Sequence, residues 1–428
     1  MQDKPIGLYQ GIALYIAAVL GSGVLFVSGV TASMAGPASI ISWLVVILIS
    51  FPLAYTFASL ARKYPDAGGT ATFVRISFGY HLGNIVGWFY FVTAVVGQTI
   101  VSLTGAFYVS QAFGFSHFET TLIAIFILVI AGVSNYYGLT VSGKVALILS
   151  ACLLVLLLLT VLVSLPHIDW DNFSPFLPSG WFSVGSAITI IFWSFFGWEA
   201  ICSLANNFKR PEKDIAKSTV ISAIIIGVLF LALSLVTIGT ATYGSIESNL
   251  SPIGVMMEET VGIGAKIVTA ILALIICTGT VNAFVASLAQ LGYSLSRDGA
   301  FPKYFSRLDT STQIPRRVVL LVISFAIAGV LITEFLSMTF NDILFIPTSL
   351  GILVYIFSMA AGLKLLKKYK IEWWASLVSF ILCLLVVPFF QLYIFVPLIV
   401  VTIYVVYMKV IKRLFAQKGV LSSHVEPK

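Results

Sequence analysis

Ile16-Ala17-Ala18-Val19-Leu20-Gly21-Ser22-Gly23-Val24-Leu25-Phe26-Val27 is an apolar run cut in the middle by two glycines and a serine. In hydrocarbon an unpaired peptide group costs several kcal/mol, so an interruption at membrane depth is tolerated only where the freed backbone faces protein, water or a ligand. The stretch therefore reads as a discontinuous membrane helix whose break is a binding site. Close helix packing through small residues is the other reading of Gly-Ser-Gly taken alone. A second break further along the chain weighs against it.

The surrounding composition fits a membrane. Of 428 residues, 59% are apolar and 10% charged, and the mean hydropathy is +1.04, a balance outside that of soluble domains. Windows of about 20 apolar residues place twelve spans, near 6–30, 36–61, 82–112, 118–138, 143–165, 183–206, 216–241, 264–290, 316–336, 340–362, 373–389 and 392–411. The expected fold class is an all-α membrane protein with twelve transmembrane helices. No linker divides the chain, so 1–428 reads as a single membrane domain. The first span is too long, and too broken, for a cleaved signal segment.

The net charge of +7 does not point to nucleic acid, because the basic residues fall in alternate loops. One side carries, among others, Arg62, Lys63, Arg75, Lys209, Arg210, Arg316 and Arg317, and the other carries Lys266 alone. The positive-inside rule then makes both termini cytoplasmic, and an even number of spans agrees. The basic loop ends anchor at lipid headgroups. Cys152, Cys202, Cys277 and Cys383 lie inside apolar spans and read as packing residues, with no disulfide framework, metal or cofactor expected.

The sixth span repeats the peculiarity of the first. Trp193-Ser194-Phe195-Phe196-Gly197-Trp198-Glu199 puts a glycine and a carboxylate in mid-membrane, five spans after Gly21-Ser22-Gly23. Five is odd, so the second five-span unit starts on the opposite face of the membrane and the two form an inverted repeat. The expected units are 1–165 and 166–362, followed by helices eleven and twelve at 363–411 and a cytoplasmic tail at 412–428. Paired breaks in such a repeat point to a secondary transporter with its site near the bilayer midplane. A half-helix starting after Gly21, Ser22 and Gly23 aims free N–H groups and a positive dipole end at the centre, which suits a carboxylate. The last carbonyls before the second break, around Phe195, Phe196 and Gly197, suit an ammonium group. Together they fit an α-amino acid zwitterion, and Gly23→Val is expected to abolish binding.

Gly21-Ser22-Gly23-Val24, Tyr64-Pro65-Asp66-Ala67-Gly68-Gly69, Phe192 to Glu199, Asn207-Phe208-Lys209-Arg210-Pro211-Glu212-Lys213-Asp214-Ile215 and Arg297-Asp298-Gly299-Ala300-Phe301-Pro302 together resemble the amino acid–polyamine–organocation (APC) transporters. The resemblance covers most of the first ten helices. The short chain and the sixth-span stretch are most similar to bacterial exporters of methionine and branched-chain amino acids. The resemblance implies a LeuT-like 5+5 fold with helices 1 and 6 broken. It also implies that Trp193 is the aromatic gate over the substrate, Glu199 the proton-responsive acid, and Phe284 a substrate-packing aromatic of the eighth span.

An ionised carboxylate in mid-membrane is costly and faces the bundle interior, so Glu199 either couples protonation to transport or satisfies the unwound backbone. Many relatives carry a lysine in the fifth span, whereas Ser150-Ala151-Cys152-Leu153-Leu154-Val155 has none, so the resemblance does not extend to lysine-based coupling. Sodium dependence has no support either, since candidate ligands such as Ser287 are ordinary helix residues. Proton coupling stays open. The lining offered by Phe195, Phe196, Trp198, Ile201, Cys277 and Phe284 favours a neutral, apolar side chain, and Gln98, Asn206 and Asn282 are its polar exceptions.

The expected protein is therefore an alternating-access carrier of neutral L-amino acids in the bacterial inner membrane, working by export or exchange. Its small-molecule partner is the amino acid, with no nucleic acid, and the sequence fixes no oligomeric state. Proton-coupled uptake, or polyamine transport through the lone intramembrane carboxylate Glu199, are the alternatives within the family. An intramembrane enzyme lacks a catalytic setting around His81, His117, His167 and His424. A channel lacks a continuous polar path.

Overall fold

The computed structural model describes residues 6–64, 69–139, 143–200 and 208–417. Among them the chain is helical, with one isolated β-bridge between Ile6 and Phe208. The first part comprises α1 (Leu8–Val19), α2 (Val27–Ala35), α3 (Ser39–Lys63), α4 (Gly69–Phe78), α5 (Tyr80–Phe113), α6 (His117–Tyr136) and α7 (Gly143–Ser164). Then follow α8 (Gly180–Ile191), α9 (Pro211–Gly239), α10 (Ile246–Leu250), α11 (Pro252–Val261), α12 (Ile263–Arg297), α13 (Arg316–Phe335), α14 (Phe340–Leu365), α15 (Lys370–Val386) and α16 (Phe395–Gln417).

The ends of these helices follow their sequence. Ser116 and Glu119 cap each other's backbone at the start of α6, and Thr339 and Asp342 do the same for α14. Proline opens α9, where its missing N–H is no loss, and α5 stops at Gly114, which is left-handed at φ 70°.

Nine helical stretches among the described residues are long and apolar enough to cross a membrane. α1 and α8 are not, because each stops after 12 residues at an interruption. Two of the nine join stretches that the sequence separates: Val27–Lys63 runs α2 into α3, and Lys370–Val410 runs α15 into α16. Helix length and hydropathy alone thus yield fewer spans than the twelve expected.

α5 packs on α12, α3 on α9 and α6 on α13. In the order of the expected spans these are three on eight, two on seven and four on nine. Glycine brings each pair together. A Cβ at Gly105 of α5 would lie 2.9 Å from the Cβ of Cys277 on α12, one at Gly227 of α9 lies 2.8 Å from Cγ2 of Ile47 on α3, and one at Gly132 of α6 lies 3.0 Å from Cγ1 of Ile323 on α13. With no water to drive association, such close backbone approach is what holds helices in lipid.

Charges gather at the helix ends. Arg62 pairs with Glu372 at 2.9 Å and Glu212 at 3.3 Å, joining α3, α9 and α15, and Arg75 of α4 meets Asp298 at 3.1 Å. Arg316 meets Asp309 at 2.6 Å. Hydrogen bonds from Ser311 and then Thr312 hold the Asp309 carboxyl well below the usual carboxylate range. Lys266, isolated in the sequence, is buried and bonded to Glu258 at 2.6 Å and Glu247 at 3.2 Å, which fastens α10 and α11 to α12.

Candidate functional site

The first helix breaks where the sequence places the interruption. The Leu20 amide still donates to Ile16 O, and the Gly21 amide donates to Val19 O, both at 2.7 Å. The backbone then leaves the helix at Leu20 (φ −72°, ψ 66°) and extends through Gly21 (φ −83°, ψ −172°). Ser22–Leu25 form one tight 3-10 turn before α2 begins. No side chain caps the start of that turn, so its first amides, from Ser22 and Gly23, are donors without an intrahelical acceptor. One acceptor is occupied: Tyr108 of α5 donates its hydroxyl to Leu25 O at 2.6 Å. A Cβ at Gly21 would meet nothing within 4 Å, so there is open space on that side of the break.

The second break is built differently. α8 tightens into a 3-10 turn at Phe192–Phe195, Phe196 is extended (φ −70°, ψ 137°), and Gly197 turns to φ 132°. That conformation is open to glycine and strained for any other residue. A Cβ on Gly197 would lie 2.6 Å from Ala18 O and 3.3 Å from Val19 N. The two interruptions touch. A short turn at Trp198–Ala200 follows. Ile201, Cys202, Asn206 and Asn207 lie outside the described residues, as do Pro65 to Gly68 and the side chain of Lys144.

Glu199 serves the second break directly. Its carboxylate accepts the Gly197 amide at 3.0 Å, the Tyr355 hydroxyl at 2.5 Å and the Tyr90 hydroxyl at 3.4 Å. The acid thereby ties the break to α5 and α14. The Tyr355 hydroxyl also lies 3.4 Å from Phe195 O.

Trp193 lies over the first break. A Cβ at Gly23 would stand 2.7 Å from Cδ1 and 2.9 Å from Nε1 of its indole, and 3.1 Å from the Ser194 hydroxyl. The far end of the ring rests on α5, 2.9 Å from a Cβ at Gly97. Phe196 meets the indole edge-on with centroids 6.3 Å apart, meets the Tyr355 ring at 5.3 Å, and seats its tip on Gly351 of α14. Gly21, Ser22, Gly23, Trp193, Phe196, Gly197 and Glu199 are thus brought together.

Phe195 joins them through its backbone only. Its ring packs on Phe230 of α9 at 5.3 Å and Trp43 of α3 at 6.5 Å, facing away from the breaks. Phe284 is 42% exposed on α12, although it stands at helical spacing from the buried Val281 and Leu288 and so shares their face of the helix. Two polar exceptions are committed elsewhere: Asn282 takes a 2.6 Å bond from Asn135, and the Gln98 amide donates to Ala94 O at 2.8 Å. Sequence reasoning passed over Tyr90, Tyr108, Tyr355 and Gly97. The tyrosines carried a signal, because a hydroxyl deep in an apolar span needs a partner.

The amino acid permease family model matches residues 6–415 of the chain. The chain is 36% identical to an uncharacterized amino acid permease, YecA, of Bacillus subtilis, over 90% of this chain and 91% of the relative. It is 27% identical to the L-methionine/branched-chain amino acid exporter YjeH of Escherichia coli (89% and 90% covered) and 26% identical to the putrescine transporter PotE of the same organism (84% and 83%). The chain belongs to the amino acid permease family, within the APC superfamily. It is a multi-pass membrane protein of a family of transporters.

Proposed function

We propose that this chain is a secondary, alternating-access carrier of neutral, apolar L-amino acids, working by export or exchange in the inner membrane with both termini cytoplasmic. The observation that carries the reading is the complementary state of the two breaks. At the first, the nearby acceptor Leu25 O is taken by Tyr108 and the amides of Ser22 and Gly23 are uncapped, beside open space at Gly21. At the second, the donor Gly197 N–H is taken by Glu199, which leaves the Phe196 carbonyl, while that of Phe195 lies 3.4 Å from the Tyr355 hydroxyl. Uncapped donors at one break and carbonyls at the other suit a carboxylate and an ammonium on one carbon.

The packing of span three on eight, two on seven and four on nine supports a LeuT-like inverted repeat, since helices related by a two-fold axis in the membrane plane meet across it. Trp193, lying across the first break, has the position of a gate. Glu199 is the proton-coupling group of this reading. Its carboxylate is already engaged by Tyr355, Tyr90 and Gly197, which favours a neutral substrate over a polyamine that would need a free acid. The preference for export rests on the similarity to the methionine/branched-chain exporter. Counterflow in proteoliposomes with a panel of labelled amino acids and putrescine, with and without imposed proton and sodium gradients, tests the reading. Saturable counterflow of methionine or leucine is expected. Counterflow of putrescine alone would overturn it.

A further inference from the structure

The Trp193 indole is clamped lengthwise between two residues that have no side chains. Its pyrrole edge lies against Gly23 in the first break, and its benzo end lies against Gly97, 2.9 Å from where a Cβ would sit. These glycines come from different elements, so the ring bridges the broken helix and the continuous α5. The seat is tight at both ends. A methyl group at either glycine would drive into the ring, at contact distances that real Cβ atoms do not tolerate. Phe196 and Gly351 close off the side toward α14.

The same corner holds polar oxygen with nothing to bond. The Ser194 hydroxyl is buried without a hydrogen-bond partner and lies 3.1 Å from the Cβ position of Gly23. A buried hydroxyl without a partner is a group that a ligand can satisfy. A tightly held indole beside that hydroxyl describes a slot occupied by the protein's own side chain until a substrate enters.

We propose that Gly97 is a positioning and specificity-determining residue: by letting the Trp193 indole reach α5, it sets how large a substrate side chain the carrier accepts. This rests on the reading of the breaks as an amino acid site. When substrate enters next to Gly23, the indole has to yield, and the room it leaves is that of a large apolar or aromatic side chain. A methyl group at 97 shortens the slot at its far end and displaces the ring toward Gly23. Large substrates then lose their place before small ones do. Because the fault lies in the pairing of ring and seat, a smaller aromatic at 193 cures it.

The experiment is counterflow of labelled methionine, phenylalanine and alanine by wild type, Gly97→Ala, Trp193→Phe and the double variant, with KM and maximal rate measured separately. Gly97→Ala is expected to raise KM for phenylalanine and methionine about tenfold or more relative to alanine, with the maximal rate for alanine held within about twofold. Adding Trp193→Phe to Gly97→Ala should restore most of the lost selectivity. Equal losses for all three substrates, or no rescue in the double variant, would overturn the role of Gly97. If Gly97→Ala does not fold, the Trp193→Phe single variant carries the comparison, and an unchanged size preference in it would overturn the role as well. Absence of counterflow for every amino acid in wild type would instead remove the carrier reading itself.

Discussion

Glu199 offers the most exacting test, because two substitutions separate its charge from its hydrogen bonds. Its carboxylate accepts two short bonds, from Tyr355 at 2.5 Å and from the Gly197 amide at 3.0 Å, and one long one from Tyr90 at 3.4 Å. Glu199→Gln keeps an oxygen that can take both short bonds and replaces the other oxygen by an amide. A bond to a charged acceptor contributes about 1.5–3 kcal/mol and a neutral one about 0.5–1.5 kcal/mol, so the exchange costs about 1 kcal/mol for each of the two. The sum, about 2 kcal/mol, corresponds to roughly a 30-fold weaker hold on the break. Glu199→Ala leaves the Gly197 amide and the Tyr355 hydroxyl unpaired, at about 1–3 kcal/mol each, or about 2–6 kcal/mol in total. The alanine variant should therefore be the more severe in both melting temperature and counterflow. Methionine counterflow is to be measured between pH 5 and 8 in both variants. If Glu199 couples protonation to transport, the glutamine variant loses the pH dependence of wild type and the two rates converge at the acidic end. A glutamine variant with the wild-type pH profile would refute coupling, and an alanine variant with wild-type rate and stability would refute the scaffolding of the break.

Gly21→Ala should leave the melting temperature within about a degree, because its φ of −83° suits alanine and its Cβ meets nothing within 4 Å, yet it should weaken substrate binding at least tenfold by occupying the space beside the uncapped amides; undiminished affinity in isothermal titration would place the carboxylate elsewhere. Gly197→Ala should lower stability by about 2–4 kcal/mol, combining a strained φ of 132° with the approach to Ala18 O, and thermal unfolding in detergent would register it. Tyr108→Phe should cost about 1–3 kcal/mol by stripping Leu25 O of its buried partner, seen as a lower melting temperature and faster hydrogen exchange around the Ser22–Leu25 turn. The depressed Asp309 carboxyl stabilises the fold above the ordinary carboxylate pKa, and that stabilisation is lost as pH falls toward its folded value. Asp309→Asn should therefore lower the melting temperature more at pH 7 than at pH 2.

What the sequence revealed about the site follows from which features depend on the chain alone. Glycine between apolar residues in mid-span is a local signal, since backbone freed in lipid must be answered. Both breaks could be located to the residue on that ground. The surroundings of a helical side chain depend on elements far away in the chain: Phe284 shares its face of α12 with Val281 and Leu288, yet it is exposed where they are buried. Phe195 shows the same limit, with its ring in the α3–α9 core and only its backbone at the break. The partners from distant elements were the least legible. Tyr355 lies 156 residues from Glu199 in the chain, and Tyr108 lies 83 from Leu25.

In the proposed reading, those tyrosines explain how one architecture offers opposite chemistry at its two breaks. An interrupted helix frees donors and acceptors together, so a break by itself has no preference between a carboxylate and an ammonium group. The preference is created by what the continuous helices remove. α5 sends the Tyr108 hydroxyl to Leu25 O, which takes an acceptor out of play at the first break and leaves the amides of Ser22 and Gly23. At the second break the carboxylate of Glu199 takes the Gly197 donor, and Tyr355 and Tyr90 hold that carboxylate in place from α14 and α5. The hydroxyls at both breaks belong to α5 and α14, and in the proposed reading the broken helices supply the ligand groups. Polarity at the centre then depends on three tyrosines and one acid as well as on the glycines that open it. Exchanging which end of a substrate is recognised would require changing those four residues, with Gly21, Gly23 and Gly197 left as they are.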